Sequence, residues 1–89
     1  MSAVADIQAD QFGSAVLRSE TPVLVDFYGT HCPACVRMLP VIQEIAAERE
    51  GKLKVVKLNA HENLDIAAQF GLRAVPSFVL LSNGQPVGQ

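Results

Sequence analysis

From Val23 to Tyr28 the chain is apolar on both sides of a two-residue alternation, interrupted only by Asp26, the pattern of a central strand covered from both faces. Residues 53–58 form a second strand-like run, with Leu53, Val55, Val56 and Leu58 set among Lys54 and Lys57. Residues 77–81 form a third, buried one. Between them the period changes from two to 3.6. Over residues 35–49, Met38, Val41, Ile42 and Ile45 recur at helical spacing, Arg37, Glu44 and Glu48 share the opposite face, and Gly51 stops the run. Pro40 falls inside this helix, where it removes one backbone hydrogen bond, so a kink is expected there.

The remaining signals are shorter. Residues 4–7 read as a weak first strand, and Asp10 can cap a short helix that turns Phe12, Val16 and Leu17 inward until Thr21-Pro22 ends it. Asn63 can cap a helix that closes at Gly71, and Asn83-Gly84 signals a tight hairpin turn into Pro86-Val87. The order β-α-β-α-β-α-β-β predicts an α/β fold: a mixed central sheet with helices on both faces, whose last strand is antiparallel.

Composition narrows the function classes. With 89 residues, 49% hydrophobic and 18% charged, the chain calls for a packed interior and has room for one domain, residues 1–89. The net charge of -2 is spread along the length with no basic stripe, which argues against nucleic acid as a partner. No apolar run approaches the roughly 18 residues of a membrane span. The stretch from Met1 to Asp10 has no Lys or Arg and no apolar signal core, so the expected location is the cytoplasm, away from the membrane. Two cysteines three positions apart cannot staple distant parts of a fold, and a reducing compartment would not preserve a structural bridge. Chemistry is the better use for Cys32 and Cys35.

Those cysteines lie where the central strand hands over to the long helix, in the run Asp26-Phe27-Tyr28-Gly29-Thr30-His31-Cys32-Pro33-Ala34-Cys35. Cys32 takes the N-cap position and Pro33 the first helical one, where a missing N–H costs nothing. Unpaired N–H groups and the positive end of the helix dipole there stabilise a thiolate on Cys32. Cys35, about one turn along and less exposed, is placed to attack a mixed disulfide formed on Cys32. The competing reading is half of a zinc site completed by His31 and His61, but neither histidine has a ligand-pair spacing. His61 reads as an exposed loop residue.

Val25-Asp26-Phe27, Cys-x-x-Cys at a helix start, Pro40 within that helix, Lys57-Leu58-Asn59, residues 71–76 (GLRAVP) and Asn83-Gly84 together resemble the thioredoxin family, over nearly the whole chain. The resemblance implies a protein disulfide oxidoreductase, a general reductase, that carries electrons on a Cys32/Cys35 dithiol-disulfide pair with neither cofactor nor metal. It implies protein disulfides as substrates and a thioredoxin reductase or glutathione as electron donor. Asp26 matches the family's buried carboxylate, which exchanges a proton with Cys35 and whose pKa burial should raise. Lys57 matches the neighbouring lysine that moderates it. Val75-Pro76 matches a cis-proline loop that contacts substrate beside His31, Pro33 and Ala34. The alternative is a catalytically weak binding module or a truncated domain.

Three departures from the family pattern stand out. His31 replaces the tryptophan that usually precedes the first cysteine, and the chain has no Trp. Pro33-Ala34 replaces Gly-Pro, as in Cys-Pro-x-Cys glutaredoxins and thiol oxidants, and an imidazolium at His31 would add further attraction for a thiolate. The family architecture also continues past the hairpin into the rest of an edge strand and a C-terminal helix. Without them, one register of apolar residues such as Leu24, Phe78 and Leu80 is expected to face water. Homo-oligomerisation through that face, or a rearranged C-terminal part covering it, is the corresponding expectation.

Overall fold

The computed structural model describes residues 4–89, so the first three residues of the Met1–Asp10 stretch lie outside it. Five strands form one sheet in the order β1-β3-β2-β4-β5: β1 Ala5–Asp6, β2 Val23–Tyr28, β3 Lys54–Asn59, β4 Ser77–Ser82 and β5 Gln85–Gly88. β1 and β2 run parallel to β3, whereas β4 is antiparallel to β2 and to β5. The α/β expectation, with a mixed sheet and an antiparallel end, is met.

Side-chain parity divides the core in two. Val23, Val25 and Phe27 of β2, Val56 and Leu58 of β3, and Val79 and Leu81 of β4 point to one face. There they meet Phe12 and Val16 from the first helical segment and Ala67 from α3 (Leu64–Gln69). Phe70 closes this layer against the rings of Phe12 and Phe27, with centroids 5.9 and 5.7 Å away. The opposite parity packs on α2 (Pro33–Glu48): Leu24, Val55 and Phe78 meet Leu39, Ile42 and Ala46. β2 is therefore covered on both faces, as its uninterrupted apolar run requires.

Local departures from the sequence reading have local causes. The first helix, α1 (Ala9–Phe12), is capped by Gln8 rather than Asp10: the backbone N–H of Gln8 donates to Gln11 Oε1 at 2.8 Å in a capping box. Asp10 lies in the first turn instead. The chain then continues as a π-helical turn, Gly13–Leu17, whose wider winding keeps Val16 buried and swings Leu17 to 42% exposure. Asn63 holds the N-cap position of α3 without capping it, because its Nδ2 donates to the Asn59 carbonyl at 2.9 Å. α2 runs through Pro40, which lacks the N–H that would bond to the Val36 carbonyl. Asn83 and Gly84, at φ 53° and 76°, make the hairpin turn in the left-handed region.

Leu24, Phe78 and Leu80, the residues named as at risk of exposure, all fall in the α2-facing register and are half-buried. Leu24 and Phe78 line an open apolar groove with Met38, Val41, Ile42 and Ile45 of α2. The C-terminal residues do not fold over this groove: they pair as β5 along the edge of β4, with a register irregularity between Leu80 and Leu81 that leaves Val87, between their partners Gly88 and Pro86, unmatched.

Candidate active site

β2 ends at Tyr28, and the next four residues carry the chain into α2. Gly29 is buried, Thr30 turns outward, and His31 adopts φ 55°, which directs the backbone into an extended Cys32 at the N-cap. The Cys32 sulfur accepts a hydrogen bond from the Cys35 backbone N–H at 3.1 Å, and Pro33 fills the first helical position. One of the helix's orphan donors is thus committed to the Cys32 sulfur. The two sulfurs are joined as a disulfide, with Cα atoms 5.2 Å apart. Cys35 is buried and Cys32 is half-buried, so the outer sulfur is the one open to an incoming partner.

Asp26, 2% exposed, lies on the α2 face of the sheet, paired in register with Lys57 on one side and Phe78 on the other. With Cys32, Cys35, His31 and Lys57 it lines a shallow cavity between the end of β2 and the first turns of α2. Burial raises its pKa to about 6, against a smaller downward pull from the Lys57 ammonium. Lys57 is half-buried, its Nζ 5.3 Å from the centroid of the Tyr28 ring. The Tyr28 hydroxyl donates to both Asp6 carboxylate oxygens at 2.9 Å, and burial together with that bond pushes its pKa up to about 12.

The other residues read from the sequence fall into two groups. Pro33 and His31 are exposed beside Cys32, and Ala34 is half-buried. Val75 and Pro76 are joined by a cis peptide, and Val75 packs against Gly29 in the segment that leads to Cys32: a Cβ there would lie 2.8 Å from Val75 Cγ2. The same hypothetical Cβ would lie 2.6 Å from His61 Cε1, so only glycine lets both side chains approach. His61 is exposed in a turn between β3 and α3, as expected, but it also makes a specific contact. Its Nδ1 accepts the Thr30 backbone N–H at 3.1 Å, while Asn59 Nδ2 donates to Thr30 Oγ1 at 3.2 Å. Sequence reasoning missed both contacts. The available signal was Gly29 at the end of a buried strand, where a missing side chain marks close approach by something else. Neither histidine joins the cysteines in a cluster: among the described residues no three His, Cys, Asp or Glu side chains converge as metal ligands. No helix among them is long and apolar enough to cross a membrane.

A disulfide at a helix N-terminus, its outer sulfur open and a buried carboxylate in the same cavity, defines a dithiol-disulfide exchange site. The family model Thioredoxin matches residues 3–89. Thioredoxin 1 of Nostoc sp. and thioredoxin of Synechocystis sp. are each 45% identical over 87 residues, covering 98% of this chain and 81% of theirs. Thioredoxin of Haemophilus influenzae is 42% identical over the same length and the same shares. The chain belongs to the thioredoxin family and is a thiol-disulfide oxidoreductase working through Cys32 and Cys35. A binding module that has lost this chemistry is not favoured.

Proposed function

We propose that residues 1–89 act as one domain, a general reductase of protein disulfides in the cytoplasm, with Cys32 attacking and Cys35 resolving. The Cys32 thiolate displaces one sulfur of the substrate as a thiolate and forms a mixed disulfide with the other. Asp26 takes the Cys35 proton, and the Cys35 thiolate attacks the Cys32 sulfur, releasing the second substrate thiolate and closing the Cys32–Cys35 bond. Two electrons pass from the dithiol to the substrate, and a thioredoxin reductase or glutathione restores them. The observation that carries this assignment is the Cys35 N–H bond to the Cys32 sulfur at the helix start, which favours charge on Cys32 over Cys35. Lys57 moderates Asp26, and His31, Pro33, Ala34, Val75 and Pro76 form the surface that meets the substrate chain.

The direction of catalysis depends on redox poise. Pro33-Ala34, together with an imidazolium at position 31 that would attract the Cys32 thiolate, would favour the reduced form relative to a thioredoxin Gly-Pro dipeptide and make the pair more oxidising. The expected potential is roughly −200 to −260 mV, between those of glutaredoxins and thioredoxin. A glutathione redox titration checks it, alongside turnover of a protein disulfide. A value more negative than thioredoxin's would refute the assigned effect of residues 31–34.

Self-association is the second part of this reading. Two copies meeting along the groove lined by Leu24, Met38, Val41 and Phe78 would bury apolar surface that the monomer leaves open. Sedimentation equilibrium should show mass rising with concentration, and a constant monomer mass would remove this part.

A further inference from the structure

The segment that delivers Cys32 to the helix start is tied to the end of β3 by three hydrogen bonds. Ala60 N–H donates to the Tyr28 carbonyl at 2.7 Å, Asn59 Nδ2 to Thr30 Oγ1 at 3.2 Å, and Thr30 N–H to His61 Nδ1 at 3.1 Å. Backbone, amide and hydroxyl groups make the first two, which no change of pH in the neutral range can alter. The third depends on an imidazole. Thr30 N–H can only donate, so Nδ1 must be unprotonated and the ring proton must sit on Nε2. The ring is also seated sterically, since a Cβ at position 29 would lie 2.6 Å from its Cε1 and 2.8 Å from Val75 Cγ2. Its own turn is fixed by Asn59, whose Oδ1 accepts from the N–H groups of His61 and Glu62 at 2.9 and 3.1 Å.

We propose that His61 is a positioning residue for the exchange site: its neutral ring holds Thr30, and with it His31 and Cys32, in the geometry that docks a substrate disulfide. This rests on the reductase reading above and adds a control to it. When His61 takes a proton, an Nδ1–H faces the Thr30 N–H, the bond is lost, and two donors oppose each other. The ring is exposed, so the proton has free access. The two remaining bonds keep the segment in place but looser, and the effect falls on substrate engagement rather than on the sulfur chemistry. Charged groups around the ring are Glu62 of its own turn, Asp65 of α3 and Arg73 of the loop before Pro76, which line the clefts that His61 lines. His31 and Asp26 line the active-site cavity instead.

The test follows the Thr30 amide and the His61 ring by NMR in the whole protein, from about pH 8 to about pH 5, the range in which histidines change charge. The Thr30 amide proton should move upfield with the midpoint of the His61 ring. In His61→Asn, whose Oδ1 stands where Nδ1 stood and does not titrate, that step should disappear while His31 and Asp26 remain. In His61→Phe, which keeps a ring beside Gly29 without an acceptor, the Thr30 amide should sit at its low-pH position throughout. At pH near 8 the KM for a protein disulfide should rise about 2- to 10-fold in His61→Phe, the range of one neutral hydrogen bond, with kcat changed less than about twofold. His61→Asn should restore it. A Thr30 step that follows His31 or Asp26 instead, that persists in His61→Asn, or that is absent, overturns the proposal, as does an unchanged KM in His61→Phe. Failure of the reductase reading itself would look different, as absence of turnover in the unaltered protein.

Discussion

Cys32→Ser is expected to abolish reduction of a protein disulfide, to roughly one part in 10^3 of the starting rate or less, because serine removes the attacking thiolate outright. Cys35→Ser should lose turnover to a similar extent by a different route. Its Cys32 still attacks, but nothing resolves the product, so a mixed disulfide with the substrate accumulates. The asymmetry arises from the helix start. Cys32 sits outside the first turn, half-buried, and accepts the Cys35 N–H, while Cys35 is buried one turn in. A substrate sulfur can approach the first more readily than the second. Mass spectrometry of peptides from the trapped adduct decides the matter: a substrate peptide on Cys32 is the expected result, and an adduct formed on Cys35 in Cys32→Ser at a comparable rate would reverse the roles.

How much of this was legible in the sequence depended on whether a feature is made by neighbours along the chain or across it. The Cys32-Pro33-Ala34-Cys35 turn is local, and N-cap chemistry and proline placement assign it without coordinates. β2 was legible because both of its faces are buried, which leaves an apolar run that only a central strand explains. The same property concealed its register. With Val23 and Leu24 both apolar, parity alone does not say which of them meets α2, and the pairing Leu24–Val55 and Leu24–Leu80 was needed to decide. Asp10 was a reasonable cap on propensity, but Gln8 and Gln11 form a reciprocal pair two residues earlier in the chain. His61 was the largest omission within the site. It is 31 residues from Thr30 in sequence, and nothing in its neighbours announces that β3 ends beside the turn after β2. The parallel pairing of Tyr28 with Asn59 brings the two loops together.

Asp26 carries the clearest cost in the molecule. Its carboxyl is 2% exposed, and its Oδ1 has no protein hydrogen-bond partner among the described residues. The Lys57 charge compensates only partly, so burial holds the folded-state pKa at about 6, against about 3.9 for an unfolded aspartate. Below about pH 4 the group is neutral in both states and carries no penalty. As pH rises from about 4 to about 6 the unfolded chain releases its proton while the folded one retains it, and stability falls until both states are ionised. A shift of about two units corresponds to roughly 3 kcal/mol as an upper figure, a large share of the about 5–15 kcal/mol available to a domain. Asp26→Asn, close in shape and without charge, should therefore gain stability relative to the unaltered protein by about 2–3 kcal/mol between pH 4 and pH 8. Urea unfolding of both oxidised proteins at the two pH values checks this, and parallel pH profiles would show that Asp26 is not the source. The compensating loss should appear in the resolving step. At neutral pH a carboxylate with a pKa near 6 is mostly ionised and can accept the Cys35 proton, which an amide cannot. Decay of a preformed Cys32 mixed disulfide should slow by about 10^2-fold in Asp26→Asn, the lower range for a lost general base. A variant that gains the stability and keeps the decay rate would separate the two effects and leave the buried charge without a catalytic reason.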